Sequence, residues 1–275
     1  MKSNRLGKCA LIPALLFTFA LGALDVLSAQ TILGGTGNTA SSVYSTAWGY
    51  YTNATGVSGI WGPTTFGYET TATNSWATAF GALTMAGGNC STAFGVQNTA
   101  VQDNSTVFGI WSTAGGYLST AFGYNTSAMG YAGTSFGVAG QAAGYASTAW
   151  GMGGATASGS GATAFGYASR AGGNCATATG TCVNADSVDE FAVGAFTVGG
   201  GDPVNWVGTD PLFEIGNGYY VSETGWQQRQ DALVVYKNGN TTITGTLSVS
   251  GSTNVILVNG GGDLSMGSFT SGTAP

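Results

Sequence analysis

Ser119-Thr120-Ala121-Phe122-Gly123 is the stretch that decides the fold, because its positions return along most of the chain. Anchored on the Gly, the copies fall at Gly49, Gly67, Gly81, Gly95, Gly109, Gly123, Gly137, Gly151, Gly166, Gly180 and Gly194, and eight of the ten spacings are 14 residues. Thr stands three before the anchor in ten copies, and Ala nine before it in ten. An aromatic precedes the anchor in nine: Trp48, Phe66, Phe80, Phe94, Phe108, Phe122, Phe136, Trp150 and Phe165. Three coincident ladders at one short period are the mark of a solenoid.

In an extended segment alternate side chains face opposite ways, so Thr120 and Phe122 share one face and Ala121 and Gly123 the other. A weaker half-repeat surrounds the Ala nine residues before each anchor. Two short strands and two tight turns use up the period, which predicts an all-β protein built as a flat parallel β-roll. Eleven coils at one strand spacing each stack to roughly 50 Å. Such a roll is too thin to hold large side chains between its sheets, which accounts for the Ala and Gly columns. The aromatic row then forms an apolar stripe larger than a monomer usually exposes, and packing of three rolls around an axis is the simplest way to cover it. The opposite arrangement, with aromatics inside and the Ala row against neighbours, stays open at this stage.

Gly accounts for 48 of 275 residues, yet without a three-residue period, which excludes collagen. An aromatic content of 12% held in register argues against disorder. Residues 1–29 read as a signal peptide: Lys2, Arg5 and Lys8 precede an apolar run from Ala10 to Leu24, and Leu27-Ser28-Ala29 resembles a cleavage site. The mature chain then has three basic residues, Arg170, Arg229 and Lys237, against eleven acidic ones, a net charge of −8. Three scattered cations make no nucleic-acid site, and no later segment is long and apolar enough for a transmembrane helix. Export permits disulfides. Of Cys90, Cys175 and Cys182, the last two stand half a repeat apart and form the candidate pair, on opposite sides of one coil.

After Gly180 the repeat decays, so the roll is assigned to residues 30–195 and a β-rich neck or shaft to 196–275. Asn53 to Gly62 reads as a loop, and Pro63 as a strand start suited only to a sheet edge. Leu212 to Ile215 and Ala232 to Tyr236 read as strands, and Asn238-Gly239 as a hairpin turn. The Gly/Ser-rich run to Pro275 lacks a core-forming end, as expected where the C-terminus is incomplete. Asp186, Asp189 and Glu190 offer carboxylates of the kind Ca²⁺ takes, but a solvated turn capping the roll is the preferred reading. No metal or cofactor is predicted.

The repeat resembles the head of YadA-like trimeric autotransporter adhesins. That family repeats a 14-residue unit of the type Ser-Val-Ala-Ile-Gly, which Ser91-Thr92-Ala93-Phe94-Gly95 matches with Thr for Val and Phe for Ile. The resemblance covers residues 40–195. It implies a left-handed roll, a homotrimer, display at the cell surface or outer membrane, and binding to host or matrix surfaces. The segment Asp231-Ala-Leu-Val-Val-Tyr-Lys-Asn-Gly-Asn240 is similar to one that leads into the shaft of bacterial and phage-tail-like fibres.

With no His and no clustered acids in the repeat, an enzyme is not expected. The leading expectation is a trimeric adhesin head, followed by a structural fibre or surface-layer component. An ice-binding solenoid, suggested by the Thr column, is the remote third: that column shares its face with the aromatics, and Thr suits a strand simply because it is β-branched.

Overall fold

The structure is a computed structural model that describes residues 32–56, 61–221 and 225–245. The proposed signal peptide and the run from 246 to Pro275 lie outside the described residues, as do four residues of the Asn53–Gly62 segment. The described chain is all-β, with no helix, and its parallel strands recur about every 14 residues to form a solenoid of about 11 turns. Each turn contributes a five-residue strand, such as Thr120–Tyr124, to one sheet and a two-residue strand, such as Ser127–Ala128, to the other. Registers carry the sequence ladders directly: Thr120 pairs with Thr134, Phe122 with Phe136, Gly123 with Gly137.

Side chains sort by column. The Ala two before the anchor and the Ala nine before it point into the space between the sheets, as Ala121 and Ala128 do, and both are fully buried. Small residues four before and three after the anchor complete the interior; Ser119 and Thr126 are the copies in this coil. Buried hydroxyls need partners, and Ser91, Ser119 and Ser147 donate to the backbone oxygens of Gly88, Gly116 and Gly144 at 2.6 to 2.8 Å. The aromatics lie outside. This resolves the choice that alternation left open.

The turns are made at two left-handed corners, five residues before and two after each anchor. Residues as different as Trp76, Cys90, Leu118 and Ala132 hold the first with φ between 51° and 59°. A Cβ there costs about 1–2 kcal/mol. Part of that is offset because each corner N–H stays in the ladder, donating to the coil before: Leu118 to Asp103 O, Cys175 to Ser160 O. Pro63 sits four before its anchor and is buried, and the strand that follows it pairs on both sides. The expectation of an edge fails because the N–H at that position closes the turn, as Ser45 and Ala77 show, so a Pro there removes no ladder bond.

The parallel sheet continues past residue 195. Strand Phe191–Ala195 pairs with Pro211–Asn217, Gly194 facing Gly216. The sheet then reverses: Asp231–Tyr236 adds antiparallel, and Thr241–Ile243 adds antiparallel to that across the Asn238-Gly239 turn. The sheet of short strands stops earlier, at Asn184–Ala185.

Successive coils approach most closely at the anchor. Gly123 has φ +139°, and a Cβ built on it overlaps the backbone oxygen of Gly137. Gly123→Ala therefore combines a conformation L residues avoid with a clash that no side-chain rotation relieves. The expected loss is of order 3 kcal/mol, or ~6–12 °C in thermal midpoint. Gln141→Ala, at an exposed position on the short-strand face, serves as the control. Equal midpoints for the two variants by circular dichroism would show that the glycines do not set the coil spacing.

Candidate functional site

The nine predicted rings form one unbroken stack. From Trp48 to Phe165 neighbouring centroids lie 4.5 to 6.5 Å apart, most with nearly parallel planes. Their spacing is that of the strands beneath, so ring faces are turned to neighbouring coils and ring edges to solvent. Phe122 is 49% exposed and Trp150 52%. A second exposed apolar column, two residues further on, runs beside it through Tyr50, Tyr68, Ile110, Tyr124 and Tyr167. The sequence reading missed this column because its members share no residue type.

The opposite face, outside the short strands, carries mainly hydroxyls and amides, among them Thr71, Thr99, Thr113, Ser127 and Gln141, interrupted by Met85 and Met129. The solenoid is thus two-faced, aromatic on one side and polar on the other, with almost no formal charge on either.

The candidate disulfide is not formed, and Cys90, Cys175 and Cys182 are all free. Cys175 occupies the corner before its strand and Cys182 the corner after it, so a full strand of the thin coil separates them. Five residues of strand span ~16 Å, far beyond the Cα separation a disulfide bridges. Cys90 and Cys175 are exposed. Cys182 is buried, its backbone oxygen accepts from Arg229 Nη1 at 2.9 Å, and burial pushes its thiol pKa up against the opposing pull of Arg229.

The three acids proposed for Ca²⁺ do not converge. Asp186 forms an ion pair with Arg170, Asp189 stands exposed at a left-handed corner, and Glu190 is 1% exposed. Among the described residues no group of three or more His, Cys, Asp or Glu is arranged to hold a metal ion. A solvated turn describes Asp189 but not Glu190, which is buried because its column points inward wherever it occurs. Glu214 takes the Ala column two before Gly216 and is also 1% exposed. Ser187 N–H donates to Glu190 Oε2 at 2.8 Å, Gly199 N–H to Glu214 Oε2 at 3.2 Å and Val198 N–H to Asp231 Oδ1 at 3.0 Å. Burial is the main cause that pushes Glu190 up to about 7, with the charge of Asp186 adding to it. Burial, then the charges of Glu190 and Asp231, push Glu214 up to about 8.

No protein family and no curated protein matches this chain. Among the described residues no helix is long and apolar enough to cross a membrane.

The corner assignment makes a chemical prediction. In unreduced native protein, a thiol reagent is expected to modify Cys90 and Cys175 rapidly and Cys182 only on unfolding, because a buried thiol with a raised pKa yields little thiolate. Peptide mapping that found Cys182 modified as fast as the others would contradict its placement.

Proposed function

We propose that this chain is an exported, non-enzymatic adhesin head that assembles as a homotrimer through its aromatic face and presents its polar face to a host, matrix or other cell surface. The observation that carries this reading is the continuous nine-ring ladder. With its flanking apolar column it covers roughly 43 Å by 16 Å, about 700 Å². That is beyond the patch a soluble monomer usually leaves bare and close to what one partner contributes to a stable interface. Edge-on rings at strand spacing make a comb, and a surface of the same period, another copy of this chain, fits such a comb best. The hydroxyl- and amide-lined face suits broad, weakly charged contact with a large surface rather than capture of a small molecule. Display at the cell surface is part of the proposal.

A second reading, a structural fibre without a specific ligand, has its own support. The parallel sheet is handed on to an antiparallel extension through Gly194 and Gly216, an arrangement suited to passing one sheet into a following shaft. Ice binding is less favoured, since the Thr column lies half-buried beside taller rings.

Light scattering of residues 30–275 is expected to give three times the chain mass, and Phe122→Asp a smaller mass with unchanged β-sheet circular dichroism. A monomeric wild type would overturn the assembly. Beads coated with the trimer are expected to adhere to extracellular matrix or cells; trimeric protein that adheres to none of these would favour the fibre.

A further inference from the structure

The thin interior ends at the C-terminal side with two carboxylic acids. Through the coils before it the inward columns hold mainly Ala, Ser, Thr and Gly; then Glu190 takes a position otherwise given to Ser119 or Ala162, and Glu214 pairs in register with Ala192. Room for them exists because the short-strand sheet has already stopped, and the chain from Phe196 to Asp210 stands in its place. The pair therefore lies at the joint between the last coil and the extension made of Pro211–Asn217, Asp231–Tyr236 and Thr241–Ile243. Glu190 Oε1 is buried and has no hydrogen-bond partner. Two ionised carboxylates cannot supply one, since each only accepts; a proton on either acid turns the repulsion into a hydrogen bond.

We propose that Glu190 and Glu214 form a proton-controlled latch: while they hold a proton the extension stays seated on the last coil, and when they lose it the extension is released. The groups around the pair reinforce this. Asp186 faces it from the turn after Asn184–Ala185, and Asp231 faces it from the first position of its strand. Both are acidic. Of the cations on this side, Arg170 is paired with Asp186, and Arg229 is committed to the backbone oxygens of Cys182 and Thr197 and acts on Asp231 rather than on the pair. Asp210 is turned away, accepting from Asp202 N–H at 2.7 Å. No positive charge acts on the pair itself, and backbone N–H groups of the last coil and the loop after it hold the acids: Ser187 holds Glu190, Gly199 holds Glu214 and Val198 holds Asp231, the last two reaching from the loop to side chains of the extension.

The direction of the pH effect follows from these positions. An unfolded Glu ionises near 4.5, and the buried pair near 7 and 8. The stabilisation by the protonated pair is complete below the unfolded value and is lost as pH rises through the folded ones. This is the reverse of an ordinary ion-paired carboxylate.

Hydrogen exchange of the full chain, corrected for intrinsic rates, measures it. Opening of Asp231–Tyr236 and Thr241–Ile243 is expected to rise about 10- to 100-fold between pH 6 and 9, while the central coils around Phe122 change little. Glu214→Gln, which keeps the shape and supplies a donor, is expected to flatten that rise; if this variant fails to fold, Glu190→Gln is read in the same way. Asp231→Asn, as a neighbour outside the pair, should leave most of the rise in place. Opening that is independent of pH in the wild type overturns the latch, as does a rise that persists unchanged in either glutamine variant. These readouts follow the joint within one chain and stand apart from the trimer and from adhesion.

Discussion

The close spacing of the two sheets is the constraint from which the other features follow. A gap that admits Ala, Ser and Thr but little more leaves no room for a conventional core, and the largest apolar residue buried between the long strands of the repeat is Val107. Bulky side chains are forced outward, so the aromatic ladder is a consequence of the thin interior as much as a binding device. Along the stack the same closeness appears again: Gly123 and Gly137 meet backbone to backbone, where a side chain would push the coils apart. Two dimensions of the solenoid are thus fixed by the smallest residues it contains.

A structure that buries so little hydrocarbon must find cohesion elsewhere. Burial of an Ala methyl contributes far less than that of a Leu or Phe side chain, so the parallel backbone ladder and its hydroxyl caps carry a larger share than in a globular domain. Ring stacking between coils adds a second cohesive line outside the sheet, each contact worth about 0.5–1.5 kcal/mol beyond area burial. The solenoid is quasi-one-dimensional, each coil meeting only its neighbours. Stability is then local, and a weak coil opens without unfolding the rest. That is why the joint at the C-terminal end can respond to conditions the central coils ignore.

The sequence shows the regular part of this design and conceals the irregular part. Period, strand placement, the inward Ala and the stacking of Phe122 on Phe136 follow from identical residues at identical positions. The corners do not, because Trp76, Cys90, Leu118 and Ala132 share a left-handed backbone and nothing chemical; what Cys90, Leu118 and Ala132 have in common is the hydrogen bond from the corner N–H to the coil before. The pairing of Cys175 with Cys182 failed for the same reason. Their half-repeat offset put them on opposite sides of one coil, but did not show that a whole long strand, Thr177–Thr181, separates the two corners. Asp186, Asp189 and Glu190 read as one acidic turn, yet the alternation that buries Ser119 also buries Glu190. Applied past Gly180, the column rule would have found Glu190; Glu214 needed the pairing of Gly194 with Gly216, which spans a loop the period does not predict.

Those two acids also bear on how a solenoid stops. An open end with an Ala-lined interior is a template for another coil, and nothing in a uniform repeat ends its growth. Here the interior closes on carboxyl groups, the short-strand sheet is replaced by a loop, and the long sheet turns antiparallel. A further Ala coil would have no donor to offer Glu190 and Glu214 in place of the N–H groups of Ser187 and Gly199, and an unpaired buried charge costs several kcal/mol. The same placement that makes the joint sensitive to protons makes it a poor surface for continued stacking. Termination and pH response are therefore two results of one physical choice, the burial of acids where the short-strand sheet has stopped.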